Sequence, residues 1–181
     1  GAYAGILNGG RAVAPFGIRS VNLRGGDRDM AGRSGGVGAR VISREAAGKL
    51  TYMMREVVRR GSGTRAAMDG REAAGKTGTS QQARDAWFIG FTADYVTGVW
   101  MGYDDNTPLT GVTGSGLPAE IWRRVMTGIH DGPAGRPLPA IAPDPRRANA
   151  PEALPDQTPA SGPGGISRGI ERVLDTVLGL N

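Results

Sequence analysis

The sequence predicts an α+β domain, an antiparallel sheet flanked by helices, with a disordered C-terminal tail. Three observations carry this. Residues 44–60 and 118–129 repeat apolar side chains at three- and four-residue steps, the spacing of one helix face. Between them, the runs 86–92 and 95–103 are separated only by Ala93-Asp94, the joint of an antiparallel hairpin. From Pro133 to Gly165 proline recurs every few positions, and the only large aliphatics are Leu138, Ile141 and Leu154.

Each element follows from its residues. Residues 1–8 read as the last turns of a helix, closed by Gly9-Gly10 in a left-handed cap. Ala12 to Leu23 reads as extended, with an interruption at Pro15, and Arg24 to Gly38 as a glycine-rich surface loop. Val41-Ile42 is expected to be a short strand, and Ser43 the N-cap of the helix 44–60. That helix presents Ala46, Ala47, Leu50, Met53, Met54, Val57 and Val58 on one face and ends at Gly61. A strand is expected over Ala73 to Ser80, then a short loop, then the hairpin. Six of the ten aromatics fall in residues 87–103, which marks the centre of a sheet covered by helices. The last helix starts at Pro118, a tolerated first-turn position, and should bury Ile121, Trp122, Val125, Met126 and Ile129. The segment 133–165 buries too little apolar area to offset its ordering entropy and is expected to be an extended, disordered linker. Ile170, Val173, Leu174, Val177 and Leu178 then give a short amphipathic helix over 166–181.

Composition removes several function classes. With no cysteine, a disulfide scaffold, a thiolate nucleophile and a cysteine zinc site are excluded. The single histidine, His130, excludes a histidine-rich metal centre, and no cofactor is expected. No apolar run approaches the ~18 residues of a membrane span. Net charge is +5, and residues 133–181 contribute nothing to it, since five arginines there face five acids. A positive body implies an anionic partner: nucleic acid, an anionic membrane surface or a carboxylate-bearing substrate. The clustered aromatics leave a base-stacking platform as an alternative, although both faces of the hairpin are apolar, as in a buried sheet.

The stretch Gly70 to Ser80, Gly-Arg-Glu-Ala-Ala-Gly-Lys-Thr-Gly-Thr-Ser, fits two patterns. Gly70 to Thr77 matches the phosphate-cradling G-x-x-x-x-G-K-[ST] loop, so a nucleotide-binding protein is one alternative. Lys76-Thr77-Gly78 matches the K-T-G of penicillin-recognising acyltransferases. A P-loop needs a buried strand before it and a helix starting at its Lys-Thr. Arg59 to Arg65 is no such strand, and there is no room for a helix before the strand at Ala86. K-T-G needs a strand bordering a groove, where an extended peptide can pair with its backbone. Gly75 and Gly78 then leave bare backbone for substrate, Thr77 and Thr79 offer hydroxyls to a carboxylate, and Lys76 offers a positive charge.

Beyond that tripeptide, the chain resembles the C-terminal part of the transpeptidase domain of class A, bifunctional penicillin-binding proteins. The resemblance runs through Ala2-Tyr3-Ala4, Asn8 to Arg11, Glu45-Ala46-Ala47, Gly61-Ser62-Gly63, Ala74 to Ser80, Asp85 to Thr92, Gly98-Val99-Trp100 and Gly116 to Trp122. It implies residues 1–132 as part of a serine β-lactamase-like fold without its nucleophile helix and helical lobe. It also implies a D,D-transpeptidase that acylates a serine on D-Ala-D-Ala stem peptides of peptidoglycan and is a β-lactam target. The expected setting is periplasmic or extracytoplasmic, with membrane association only through a segment outside this chain and no nucleic-acid partner. By resemblance, Lys76 and Thr79 are the catalytic residues, Thr79 giving an oxyanion-hole N–H. Thr77, Gly78, Thr79 and Ser80 bind substrate.

The resemblance also implies an S-x-x-K nucleophile, and no serine here has lysine three residues later. The nucleophile and the S-x-N motif are therefore expected to precede Gly1, and Ser20-Val21-Asn22 to be a coincidental match. Covalent catalysis by this polypeptide alone is not expected. A basic polymer-binding module, with salt-dependent affinity and no need for Lys76, is the remaining alternative.

Overall fold

Capping residues and strand pairing set the element boundaries in the computed structural model, which describes residues 1–18, 21–22, 29–31, 35–130, 132 and 135–146. Helix α1 (Ala2–Leu7) ends where Gly9 and Gly10 take φ of 70° and 88°, the left-handed region that glycine enters without strain. The Gly10 N–H returns to Gly5 O at 2.8 Å. Strand β1 (Arg11–Ala14) follows; β2 (Val21–Asn22) pairs with β3 (Asp29–Ala31), and β1 pairs antiparallel with β4 (Gly36–Arg40).

Two expectations fail here. The stretch read as a surface loop contains β3 and the start of β4, and the short strand lies at 36–40 rather than at Val41-Ile42. Every residue of β4 is exposed, so no inward–outward alternation marks it as a strand. Its pairing with β1 makes it one. Val41 and Ile42 instead both donate their N–H to Gly10 O, at 2.8 and 3.2 Å.

Helix α2 (Arg44–Arg60) has the expected bounds. Ser43 Oγ accepts the Ala46 N–H at 3.0 Å, a cap that contributes about 1 kcal/mol. Arg59 and Arg60 complement the dipole in the last turn, and the Gly61 and Gly63 N–H groups both close on Val57 O. The helix buries Ala47, Gly48, Thr51, Met54 and Val58.

Strands β5 (Ala74–Thr79), β6 (Asp85–Phe91) and β7 (Val96–Gly102) form one antiparallel sheet in that order, as expected. The register pairs Thr77 with Phe88, Gly78 with Trp87, and Trp87 with Trp100. Strand alternation puts Thr77, Thr79, Ala86, Phe88, Val99 and Met101 on one face. Lys76, Gly78, Trp87, Ile89, Gly98 and Trp100 share the other. Helix α3 (Leu117–Ile129), with Pro118 in its first turn, packs on β6 and β7. Its Trp122 meets Phe88 edge-on with ring centres 5.3 Å apart, and Trp122 Nε1 donates to Thr97 O at 3.1 Å.

Phe88, Trp122, Met126, Val58, Ala66, Ala73 and Ala119 form the main core cluster. Burying each large side chain contributes about 1.5–3 kcal/mol. The aromatic hairpin is less enclosed than its composition suggests. Trp87 and Trp100 remain 42% and 43% exposed on the second face, and Tyr95 and Tyr103 are exposed as well. The buried face of α3 is also narrower than expected. Pro118, Ala119, Trp122 and Met126 are buried, whereas Val125 and Ile129 stay 43% and 44% exposed.

The expectation of a disordered linker from residue 133 does not hold for residues 135–143, which lie as a strap along the domain. Arg136 donates to Asp94 Oδ1 at 2.6 Å, and Leu138 N–H donates to Glu72 Oε2 at 2.8 Å. Leu138, 6% exposed, packs with Met54, Ala74 and Phe91, flanked by Tyr3, Ile6 and Leu7. Ile141 N–H donates to Gly48 O at 2.9 Å. One buried leucine suffices because an apolar cluster receives it, which an average over composition does not register, while Ile141 stays 40% exposed beside Gly48. Ser20, most of the proline-rich segment and the expected helix 166–181 lie outside the described residues.

Candidate active site

The edge of β5 is where the sequence reading concentrates. Among the described residues β5 pairs with a strand on one side only, β6. Ser80 N–H donates to Asp85 O at 3.0 Å, which fixes the phase of the ladder. In an antiparallel pair, bonded and outward positions alternate. The N–H and C=O of Thr79 and Thr77 are therefore turned away from β6, toward the open edge, and those of Gly78 toward β6.

Side chains converge on that edge from both faces. Lys76 is exposed, and its Nζ donates to Thr77 O at 2.6 Å. Among the described residues no carboxylate pairs with it. Thr77 Oγ1 lies 2.8 Å from Ser62 Oγ, and Thr79 Oγ1 accepts the Gly114 N–H at 3.0 Å. A hydroxyl that accepts still has its own hydrogen to donate. The edge thus presents backbone donors and acceptors, two threonine hydroxyls and an unpaired ammonium within four residues. That set can hold an extended peptide and its terminal carboxylate.

Gly78 and Gly75 differ. A Cβ on Gly78 would meet only Trp87 Cβ, at 3.4 Å, so the fold itself tolerates a side chain there. On Gly75 it would lie 2.5 Å from Phe88 Cζ. Gly75 is a packing glycine, not the bare substrate-facing backbone expected of it. Ser80 sits just past the strand, where its Oγ accepts the Asp85 N–H at 2.8 Å and closes the β5–β6 turn.

The P-loop alternative loses its geometry. Lys76 and Thr77 lie inside a strand, not at a helix N-terminus, and Gly70 belongs to a turn bridging Met68 and Arg71. Ser62 and Gly114, which touch the two threonine hydroxyls, were not picked out as site residues. Their signal is weak: a serine between two glycines, and a glycine in a Thr-Gly-Ser-Gly run, both of which read as ordinary turns. Among the described residues there is no group of acidic and histidine side chains able to hold a metal ion.

Comparison with known proteins matches the family described as penicillin binding protein transpeptidase domain to residues 1–127. The chain belongs to that transpeptidase family. Penicillin-binding protein 1A of Pseudomonas aeruginosa is 42% identical over 89 residues, covering 48% of this chain and 11% of that protein. Penicillin-binding protein 1A of Streptococcus pneumoniae is 32% identical over 147 residues, covering 72% of this chain and 20% of that protein. The D,D-transpeptidase domain of a peptidoglycan glycosyltransferase from Eggerthella lenta superposes with a TM-score of 0.55 at 28% identity, covering 70% of this chain and 30% of that one. Penicillin-binding protein 1A from Haemophilus influenzae, 23% identical with a TM-score of 0.60 over 76% of this chain and 27% of that one, shares the fold. The chain therefore spans between about a tenth and a third of these members of the transpeptidase family.

Proposed function

We propose that residues 1–132 supply the substrate-binding strand of a D,D-transpeptidase that cross-links peptidoglycan. The parent is a class A, bifunctional penicillin-binding protein working at the outer face of the cytoplasmic membrane. The observation that carries this reading is the free edge of β5, where outward backbone groups lie between the Lys76 ammonium and the Thr77 and Thr79 hydroxyls. A stem peptide adds to that edge as a strand, and the hydroxyls donate to its terminal carboxylate. A serine oxygen attacks the carbonyl of the D-Ala-D-Ala bond. The Thr79 N–H stabilises the oxyanion that forms, and Lys76 supplies the positive field. The C–N bond breaks, D-alanine leaves with a proton on its amine, and an amine of a neighbouring stem peptide then takes the acyl group. A β-lactam acylates the same serine by opening its ring.

No serine among the 181 residues carries a lysine three positions on, so the nucleophile comes from residues outside this sequence. The test uses fluorescent penicillin. Lys76→Ala in the full-length parent is expected to slow acylation roughly 100-fold while the fold survives; unchanged acylation overturns the role of Lys76. The 181-residue chain alone is expected to form no covalent adduct, and a serine-linked adduct on it refutes the external nucleophile.

A further inference from the structure

Thr79 is held from behind by a loop that has no assigned part in the reaction. Residues 103–116 leave the end of β7, turn back over the β5–β6 pair and lead into α3. The loop is pinned at Leu109, whose N–H donates to Ala83 O at 2.8 Å, and again at Gly114, whose N–H donates to Thr79 Oγ1 at 3.0 Å. The approach at Gly114 is close. A Cβ there would lie 2.3 Å from Trp87 O, 2.4 Å from Gly78 O and 2.8 Å from Gly78 N. All three are backbone atoms of the site's own strand pair, so none can swing aside as a flexible side chain would. Space, not backbone conformation, is what restricts this position to glycine.

The chemistry of the contact has a direction. A hydroxyl has one hydrogen and two lone pairs. An amide N–H can only donate, so it occupies a lone pair of Thr79 Oγ1 and leaves the hydroxyl hydrogen for another acceptor. Among the described residues no protein atom takes that hydrogen. Thr79 is exposed at the strand edge, so an incoming anion can take it. A donor backed by an N–H is also polarised toward stronger donation.

We propose that Gly114 is a positioning residue: its N–H commits the Thr79 hydroxyl to donate, and so sets the site's preference for ligands bearing a carboxylate. This rests on the transpeptidase reading above and adds to it the device that makes one of its threonines selective.

The experiment compares two β-lactams in the full-length protein, identical except that one carries a free carboxylate and the other its methyl ester. The readout is the ratio of their second-order acylation rates. Gly114→Ala is expected to lower the acid-to-ester ratio about tenfold, the scale of one charge-assisted hydrogen bond. A ratio left unchanged, with both rates slowed alike, means that Gly114 only supports the fold and overturns the proposal. Thr79→Val is expected to lower the ratio similarly and Thr79→Ser to restore it. If Thr79→Val leaves the ratio intact, the carboxylate site itself is misassigned. If Thr79→Val lowers it and Gly114→Ala does not, only the role of Gly114 falls. Should Gly114→Ala not fold, hydrogen exchange of the segment 113–116 in the wild-type protein decides. Acylation by the acid is expected to slow exchange there more than acylation by the ester, and equal protection overturns the proposal.

Discussion

Gly75 and Gly78 stand three residues apart in β5 and answer to different neighbours. The Gly75 Cα faces the Phe88 ring, and an added methyl would be driven to 2.5 Å from Cζ. Gly75→Ala is therefore expected to destabilise the domain by about 1–3 kcal/mol, as overpacking does. Gly78 has room for the same methyl on the protein side, so Gly78→Ala should shift stability by no more than about 0.5 kcal/mol. Because the space it fills borders the proposed substrate strand, its effect should fall on acylation of the full-length protein. Denaturant midpoints and acylation rates for both variants check this. A Gly78→Ala variant with normal acylation, or a Gly75→Ala variant of unchanged stability, contradicts the division. The two glycines look alike in the sequence, since the difference lies wholly in what stands across the sheet.

Among the elements, legibility followed periodicity. Helix α2 was readable in its bounds, because Ser43 caps it and Gly61 stops it, but not in its whole face: Ala46 and Met53 are exposed, and Gly48 and Thr51 are buried in their stead. The β5–β6–β7 order was readable from one strand, a short loop and a two-residue joint. β4 was not, because Gly-Val-Gly-Ala-Arg is exposed throughout and owes its form to a partner in β1. The charge and hydroxyls of the candidate site stand in the sequence at Lys76, Thr77 and Thr79, whereas Ser62 and Gly114, which touch the two hydroxyls, come from distant chain and carry no local pattern. The strap was hidden for a related reason: a proline-rich composition says how rarely apolar residues occur, not where they land. Leu138 is the anchor of that strap, while the Arg136–Asp94 pair, with an exposed arginine, is screened by solvent and adds little. Leu138→Ala should cost about 2–4 kcal/mol in a denaturant titration. A loss under about 0.5 kcal/mol would mean the strap lies on the domain without holding it.

At the scale of the whole molecule, one histidine gives stability a pH dependence. His130 ends α3, with Nε2 3.0 Å from Thr92 Oγ1 and its ring edge-on to Tyr95. Burial lowers its pKa below the ordinary histidine value, the Arg71 guanidinium lowers it further, and Asp94 opposes both. The folded chain thus favours neutral imidazole and binds fewer protons than the unfolded chain in this window. Stability rises with pH there: the contribution is complete above about pH 6.5 and is lost as pH falls toward the lower, folded-state pKa. Thermal midpoints measured from about pH 8 down to 5 should decline on acidification, and His130→Gln should flatten that part of the curve. A wild-type midpoint that climbs on acidification, or a variant with the same slope, would count against this account.

The Phe88 ring has a consequence that reaches past this one chain. Its Cζ, Cε1 and Cε2 lie where side chains on Gly75, Gly90 and Gly63 would otherwise project, at 2.5, 2.9 and 3.2 Å from the positions of their missing Cβ atoms. At Gly90 the ring shares the restriction with Ala74 O, also 2.9 Å away, and at Gly63 with Val57 at 3.1 Å, so a smaller residue at position 88 would not by itself open either. At Gly75 the ring comes nearest by far, and positions 75 and 88 should therefore drift together. Where a homologous chain carries a shorter side chain in place of Phe88, alanine at the position of Gly75 becomes the compensating change, and the pairing of the two would be written in the family's covariation.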